Sequence, residues 1–163
     1  MREFRRSLPM SLLKAREAVM KNFLPHLREN DLSPQQWRVL RALYDEREEN
    51  GRGVEMTQLA EECYLLMPSL SRIIQNLCRR GLIDRQTAKQ DQRRTLITLS
   101  SEGASLVELM APQSEARYQH ITRAFGYGKL ELLYELLDEL ILKLDEADLS
   151  ADQDQLQARN NDK

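Results

Sequence analysis

The stretch of sequence that decides the fold is residues 59–103, LAEECYLLMPSLSRIIQNLCRRGLIDRQTAKQDQRRTLITLSSEG. Its beginning predicts a short helix from Gln58 to Cys63, capped by Thr57, and Pro68 then opens a second helix. One face of the second helix is committed to the core by apolar residues at i, i+3, i+4 and i+7, namely Leu70, Ile73, Ile74 and Leu77. Two helices joined by the short segment YLLM are therefore predicted.

A glycine and two strand-like runs follow these helices. Gly81 is placed to end the second helix, because glycine adopts a positive φ at little cost. The runs at residues 82–85 and 95–99 predict two strands, with the polar residues 90–94 between them at the tip of a hairpin. Either Ser100 or Ser101 caps the helix that comes next. Two helices followed by a β-ribbon predict a winged helix-turn-helix.

Helices are also predicted on both sides of this stretch. Upstream, one helix runs from Ser7 to Glu29, and a second follows Ser33 as its N-cap and continues to about Arg47. Downstream, a long helix runs from about Glu102 to Phe125. Another, from Lys129 to about Leu144, is so dense in leucine that burial on more than one side is expected. The polar residues 147–163 are predicted to be a disordered tail. The expected fold class is mainly α, with a small wing of two or three β-strands and a helical dimerisation domain.

Charge is distributed unevenly along a chain whose formal net charge is only −2. Residues 129–163 hold ten acidic and four basic side chains, a local net charge of −6. Residues 68–94 hold two acidic and seven basic side chains, a local net charge of +5, and the basic ones are Arg72, Arg79, Arg80, Arg85, Lys89, Arg93 and Arg94. Of these two segments, residues 68–94 are suited to a phosphate backbone and residues 129–163 are not.

The outer face of the second helix carries the side-chain types that bind DNA. Gln and Asn can bond adenine edges, Arg can bind guanine through two hydrogen bonds, and hydroxyls near helix N-termini can contact phosphates. Arginines at the hairpin tip would enter the minor groove. The predicted DNA-binding residues are Thr57, Ser69, Ser71, Arg72, Gln75, Asn76, Arg79, Lys89, Arg93 and Arg94.

An alternative without DNA binding competes with this prediction. Each feature taken alone is more often a solvated surface, and a winged helix can serve protein–protein contacts without any DNA. The order of the features and the local charge of +5 favour DNA. Salt dependence distinguishes DNA binding from protein–protein contacts, because binding that neutralises phosphates weakens steeply as salt is added.

The central stretch resembles the core of the MarR family of winged helix regulators. The resemblance rests on the LAE helix, the SLSR start of the second helix, the RRGLI exit into a strand, the DQRR wing and ITLSSEG. Two outer segments, LLKAREAVMKNFLP and LSPQQWRVLRAL, are most similar to the homoprotocatechuate-degradation repressors of that family. Tyr64 departs from the family, in which glycine usually holds the turn, so a looser turn or a plug formed by Tyr64 is expected. Arg72 stands where this subgroup often has a small residue.

The resemblance implies a homodimeric repressor of an aromatic-acid catabolic operon that binds a pseudo-palindromic operator in double-stranded DNA. Residues 7–31 and 102–146 would form the helical dimerisation region, and residues 32–101 the DNA-binding lobe. A small aromatic carboxylate is expected as effector.

The residues favoured for binding this effector lie on the first two helices. Arg16 is expected to be buried among apolar neighbours, where a guanidinium favours a carboxylate partner, and Trp37 and Arg41 are four residues apart. The alternative for Arg16 is an ion pair with the partner subunit, and the alternative for Trp37 is a place in the core. In the wing, Asp91 is expected to fix the shape of the tip by pairing with Arg93 or Arg94.

The cysteines, the histidines and the absence of certain motifs bear on whether the protein is a redox sensor, a metalloprotein, an enzyme or a membrane protein. Cys63 and Cys78 are 15 positions apart without a CxxC motif, which favours a reduced, cytoplasmic protein. Cys63 is expected in the core, whereas Arg79 and Arg80 could lower the pKa of Cys78, so a redox-responsive regulator stays an alternative. The two histidines are isolated, and no catalytic motif or stretch of roughly 20 apolar residues occurs. No metal, cofactor, enzymatic activity or membrane partner is therefore predicted.

Overall fold

The computed structural model describes the main chain of residues 4, 7–49, 53–88 and 91–161, and the side chains of these residues except 48–49, 87–88, 91–94 and 147–161. Within them, six helices and three strands follow in the order α1 (Leu8–Glu29), α2 (Pro34–Glu49), β1 (Val54–Glu55), α3 (Met56–Glu62), α4 (Met67–Arg79), β2 (Ile83–Ala88), β3 (Asp91–Leu99), α5 (Ser101–Phe125) and α6 (Tyr127–Asn161). The predicted fold class, mainly helical with a small β-wing, is confirmed.

The chain divides into two compact units, Met1–Arg117 and Tyr118–Lys163. The first unit holds the winged helix together with α1. Its core is formed by the apolar faces of the central helices, where Leu40 of α2, Leu59 of α3 and Leu77 of α4 are all fully buried. Each such leucine contributes about 1.5–3 kcal/mol by leaving water, so the predicted apolar face of α4 is what fixes this helix in place.

The wing is a three-stranded antiparallel sheet in the order β1-β3-β2. Val54 pairs with Ile97 on one side of β3, and Ile83 pairs with Leu99 on the other. Strand β1 has only two residues, which is too short to show an alternating pattern in a sequence. Strands β2 and β3 both extend further towards the tip than predicted.

Three helices end in the same way, with a residue in the left-handed region after the C-cap. These residues are Asp31 (φ 53°), Tyr64 (φ 48°) and Gly81 (φ 69°). The next main-chain N–H then returns to a carbonyl five residues earlier, from Leu32 to Leu27, from Leu65 to Ala60 and from Leu82 to Leu77, at 2.9, 2.9 and 3.0 Å. The Gly81 prediction is confirmed. Tyr64 closes an equally tight turn and is exposed, so both expectations for Tyr64 were wrong.

Helices α3 and α6 have boundaries that differ from the predicted ones. Helix α3 begins at Met56 with Glu55 at its N-cap, so Thr57 lies inside the first turn and does not cap it. Helix α6 begins at Tyr127 and continues to Asn161 rather than ending near Leu144. Residues 145–161 contain no glycine or proline, so nothing local stops the helix, which includes most of the segment 147–163.

The second unit has no core of its own among its described side chains. None of residues 118–146 is buried, and the large apolar side chains of α6 are exposed, among them Leu132, Leu133, Leu136, Ile141, Leu142 and Leu144. The predicted burial on more than one side is therefore not supplied within one chain. In the described part of the chain, no helix is long and apolar enough to span a membrane.

Candidate nucleic-acid interface

Helix α4 presents a polar front to solvent and an apolar back to the core. Leu70, Ile74 and Leu77 form the buried back. The exposed side chains opposite them are Ser69, Ser71, Arg72, Gln75 and Arg79. Because residues four apart lie on one stripe of a helix, positions 71, 75 and 79 line up along its length with Arg72 beside them. Half of the ten predicted DNA-binding residues thus share one accessible side of α4.

Asn76 has a structural partner that the sequence did not reveal. Its side-chain oxygen accepts a hydrogen bond at 2.9 Å from the side-chain nitrogen of Gln36, and Asn76 is half-buried. Gln36 also forms a reciprocal cap with the predicted N-cap Ser33, at 2.8 and 3.1 Å. The carboxamide of Asn76 therefore ties α4 to the start of α2, and its NH₂ group remains as a donor for a base edge.

Two arginines anchor the helix ends around α4. The Arg80 guanidinium donates to the carbonyl oxygens of Asp31 at 2.7 Å and Asn30 at 3.2 Å, where α1 ends. Arg38 of α2 donates to the carbonyl oxygen of Cys63 at 2.5 Å, where α3 ends. The carbonyls of the C-cap residues Asn30 and Cys63 lie at the negative end of the helix dipole, which favours a cation. Arg80 was counted in the local charge of +5, yet its contacts give it an anchoring role.

The start of α5 fastens the base of the wing to the end of α4. Ser100 is the cap, because its Oγ accepts from the Gly103 N–H at 2.9 Å, and it also donates to the Gly81 carbonyl oxygen at 2.7 Å. A Cβ at Gly103 would lie 2.0 Å from the Leu82 carbonyl oxygen. Only glycine allows α5 this close to the strand that leaves α4.

The wing tip is described in its main chain only on either side of residues 89–90. Thr87 pairs with Thr95 and Ala88 with Asp91, so residues 92–94 of β3 lie between two pairs that are adjacent on β2. Arg93 and Arg94 therefore sit in an irregularity of the register. Lys89 lies outside the described residues, as do the side chains of Asp91, Arg93 and Arg94, so the predicted pairing of Asp91 stays a prediction.

The three residues predicted to bind an effector all belong to the first unit. Arg16 is exposed and forms a 2.5 Å ion pair with its neighbour Glu17, so the expectation that it is buried is wrong for the single chain. Arg41 pairs with Asp45 at 3.1 Å, and its guanidinium lies 5.9 Å from the centre of the Tyr44 ring. Trp37 is half-buried and packs against the core. Exposed ion pairs contribute roughly 0–1 kcal/mol, so either arginine can exchange its partner for another carboxylate.

The cysteines do not have the properties of redox sensors. Burial, and secondarily Glu62, raises the pKa of the Cys63 thiol to about 11. Burial, and secondarily Asp84, also raises the pKa of Cys78. The expectation that Arg79 and Arg80 lower the pKa of Cys78 is therefore wrong: the arginine that opposes the rise is Arg85, and burial outweighs it. Both thiols stay protonated near neutral pH, which makes them poor nucleophiles.

His26 is a buried polar residue, which its isolated position in the sequence did not indicate. It lies on α1, and its Nε2 is 3.5 Å from the Ser114 hydroxyl of α5. Its Nδ1 has no hydrogen-bond partner among the described residues. Burial, and secondarily Arg117, lowers the pKa of His26, so the ring is held in its neutral form. No group of three or more His, Cys, Asp or Glu that could hold a metal ion occurs in the described part of the chain.

Comparison with known proteins agrees with this architecture. The MarR family profile matches residues 30–94. The HTH-type transcriptional regulator FarR of Neisseria gonorrhoeae is 38% identical over 134 residues, which cover 82% of this chain and 88% of FarR. The homoprotocatechuate degradative operon repressor of Escherichia coli is 36% identical over 135 residues, covering 83% and 88%. The crystal structure of NadR in complex with 4-hydroxyphenylacetate is 36% identical, covers 86% of this chain and 96% of NadR, and has a TM-score of 0.71. The resemblance seen in the sequence is confirmed: the chain belongs to the MarR family of winged helix transcription regulators.

Proposed function

We propose that this protein is a homodimeric, sequence-specific DNA-binding repressor of an aromatic-acid catabolic operon, and that a small aromatic carboxylate releases it from DNA. The observation that carries the proposal is the exposed polar side of α4, whose C-terminal end is tied to the rest of the fold through Asn76 and Arg80. A recognition helix must be rigid to align side chains with base edges, and these ties supply that rigidity.

The DNA-binding residues take different roles in this proposal. Ser71, Arg72 and Gln75 contact base edges in the major groove, because their side chains are the accessible donors and acceptors in the middle of α4. Ser69 and Thr57 contact phosphates. Asn76 and Arg79 complete the base-reading face, and the wing residues Lys89, Arg93 and Arg94 reach the adjacent minor groove.

The homodimer is supported by apolar surface that one chain leaves uncovered. Leucines of α6 are exposed, and so are Leu12 and Leu13 in the first half of α1. Large exposed apolar side chains on each of the two helices mark interaction sites. Residues 7–31 and 102–146 are the proposed dimerisation region and residues 32–101 the DNA-binding lobe. Two lobes related by a two-fold axis would read a pseudo-palindrome, with half-sites about one helical turn apart.

An aromatic carboxylate is the proposed effector because of what two relatives are named for and because two arginines are available to bind a carboxylate. One relative is named for the repression of a homoprotocatechuate operon, and another was solved with 4-hydroxyphenylacetate. The latter compound has a flat ring and a carboxylate. Trp37 offers a surface for the ring, and Arg41 or Arg16 can give up a weak ion pair to bind the carboxylate. The relatives are regulators and not enzymes, which supports a cytoplasmic regulator without a cofactor or catalytic activity.

Electrophoretic retardation of the protein's own promoter fragment tests the proposal. We expect retardation at low salt with a log–log salt slope near roughly −0.9 per phosphate contacted, and release by 4-hydroxyphenylacetate. A coupling of about 1–3 kcal/mol would weaken DNA binding about 5- to 150-fold. Absence of retardation at low salt contradicts the proposal and favours a protein–protein module, whereas release by an oxidant but not by aromatic acids favours the redox alternative.

Two variants sharpen this experiment. Gln75→Ala should weaken binding to the promoter fragment more than binding to random DNA, because only base contacts distinguish the two. Arg41→Ala should preserve retardation and abolish the effector response. The matched control is Arg47→Ala, which removes another exposed arginine of α2 and should leave both properties intact. Loss of DNA binding in Arg41→Ala would instead make Arg41 a structural residue.

A further inference from the structure

The turn between α3 and α4 exposes three large apolar side chains. Tyr64 is 80% exposed, Leu66 79% and Met67 41%. They line one shallow hollow between α3 and the start of α4, and we call them the turn cluster. The positions beside them are different: Leu65 and Leu70 turn inward and pack on or within the core. The exposure of the turn cluster is therefore not the consequence of a loose segment.

The turn cluster continues the polar front of α4 towards the N-terminus of that helix. Leu66 is the N-cap of α4 and Met67 its first residue. Met67, Ser71 and Gln75 follow one another at intervals of four residues, so they lie on one stripe. In a helix-turn-helix, the N-terminal residues of the second helix contact base edges in the major groove. In that arrangement, Leu66 and Met67 therefore occupy the end of α4 that goes deepest into the major groove.

The chemistry of this surface limits what it can meet in DNA. Thr57 and Glu61 both line the same hollow. The Glu61 carboxylate disfavours a phosphate beside the turn cluster, whereas the exposed Thr57 at the start of α3 is left for the phosphate contact proposed above. Base edges in the major groove offer donors, acceptors and a single apolar group, the C5-methyl of thymine. Leucine has no hydrogen-bonding side-chain atom and methionine only a weakly accepting sulfur, so the thymine methyl is the group that both side chains match best.

We propose that Leu66 and Met67 determine specificity by covering thymine methyl groups in the operator. The inference rests on the proposed DNA binding and adds apolar readout to the hydrogen bonds of Ser71, Arg72 and Gln75. The backbone that carries both side chains is fixed, because the Leu65 N–H bonds the Ala60 carbonyl at 2.9 Å and the Leu70 N–H bonds the Leu66 carbonyl at 3.0 Å. Little conformational freedom in the turn is then lost on binding.

The test replaces thymine by uracil, which removes only the C5-methyl. A duplex is first selected from a random pool by the wild-type protein, and a copy is synthesised with deoxyuridine at every thymidine. For the wild type, we expect the uracil copy to bind about 4-fold more weakly for each methyl covered. The double variant Leu66→Ala with Met67→Ala should bind the thymine duplex more weakly and should bind both duplexes alike.

A matched control truncates an exposed side chain that lies outside both the proposed dimerisation region and the proposed DNA-binding residues. Arg47 on α2 is exposed, and Arg47→Ala should keep the full preference for the thymine duplex. All substituted residues are exposed, and circular dichroism verifies that each variant is folded. Comparing the two duplexes within one variant also cancels any general loss of affinity.

Three results would overturn the inference. Equal binding of both duplexes by the wild type shows that no methyl is read. A preference for the thymine duplex that persists in the double variant assigns the readout to other residues. Unchanged discrimination together with weaker self-association, measured by sedimentation, makes the turn cluster a contact between copies of the chain. If no duplex can be selected at low salt, the proposed DNA binding itself fails, which is a separate outcome.

Discussion

Helices α4 and α6 are both rich in leucine and isoleucine, but only one of them finds its partners within the chain. In α4 the apolar stripe is covered, and Leu70, Ile74 and Leu77 are buried. In α6 no described side chain is buried. The difference teaches that similar leucine content serves two purposes. Helix α4 is fixed by its own chain and so can present a rigid polar front, whereas the described side chains of α6 leave apolar surface exposed, which marks an interaction site.

The largest expected effect comes from adding one methyl group at Gly103, where α5 packs closely against the chain that leaves α4. Gly103→Ala places a Cβ 2.0 Å from the Leu82 carbonyl oxygen, so α5 must move away from the base of the wing. We expect the free energy of unfolding to fall by about 3 kcal/mol or more, measured by urea denaturation.

The matched control for this change is Gly128→Ala near the start of α6, where a Cβ meets nothing within 4 Å. That substitution should stabilise the protein, by up to about 1 kcal/mol, because alanine is the better helix former. If both variants have the stability of the wild type, the close approach of α5 to β2 is not a feature of the folded protein.

A pair of leucine truncations compares the helices directly. Leu77→Ala in α4 removes a side chain that is 0% exposed and should lower the free energy of unfolding by about 2–5 kcal/mol. Leu136→Ala in α6 removes one that is 54% exposed in the single chain, and it should chiefly raise the dissociation constant of the dimer.

Sedimentation and the concentration dependence of the melting temperature distinguish these two effects. For Leu136→Ala, the melting temperature should recover as protein concentration rises, whereas for Leu77→Ala the loss should persist at every concentration. A dissociation constant unaffected by Leu136→Ala would place the dimer contact away from that part of α6.

Acid should destabilise the first unit through His26. Burial lowers the pKa of this residue from 6.5, with a smaller contribution from Arg117, and the opposing effects of Gln113, Glu29 and Met110 do not reverse the shift. The unfolded chain therefore binds the proton more readily than the folded one. The stability contributed by neutral His26 is fully present above pH 6.5 and is lost as the pH falls below it towards the lowered folded-state value.

Urea denaturation between pH 7.5 and 5.5 measures this dependence. His26→Gln should flatten the pH profile, because no imidazole remains to be protonated at that position. The control His120→Gln removes an exposed imidazole and should leave the profile unchanged. A profile that is equally steep in His26→Gln would mean that other groups cause the acid sensitivity.

What the sequence predicted of the fold was mostly local. The buried stripe of α4, its Gly81 terminus and the Ser33 cap each depend on residues within one or two turns, so their pattern is visible in the chain. The tie from Gln36 to Asn76 spans 40 positions and that from Arg80 to Asn30 spans 50. Such contacts are set by packing between helices, and no spacing rule indicates them.

The candidate site likewise has a part that local sequence pattern predicted and a part that it did not. The exposed side of α4 was predictable as the complement of its buried stripe. Arg16 is not buried within the single chain, where the N-terminal half of α1 is exposed. An apolar stripe shows that a helix has a covered face but not which molecule covers it, so the role of Arg16 in a dimer stays a prediction. The turn cluster was missed since YLLM looks like core until Tyr64 and Leu66 are seen in solvent.

The smallest expected effect concerns the turn that starts α4. Tyr64 holds a left-handed conformation at φ 48°, which costs a residue with a side chain roughly 1 kcal/mol relative to glycine. Tyr64→Gly should raise the free energy of unfolding by up to about 1 kcal/mol, less the entropy that glycine adds to the unfolded chain. The reverse change, Gly81→Ala at φ 69° with open space around the Cβ, should lower it by about 1 kcal/mol.

Thermal and urea denaturation of these two variants test whether the turns before and after α4 obey the same backbone rule. Because Tyr64 is exposed, its removal leaves no cavity, and the backbone effect should decide the sign for Tyr64→Gly. A loss of stability in Tyr64→Gly, with the expected loss in Gly81→Ala, would mean that the ring stabilises the turn through contacts that outweigh its strained backbone. The start of α4 would then depend on the turn cluster for its stability as well as for the proposed reading of thymine.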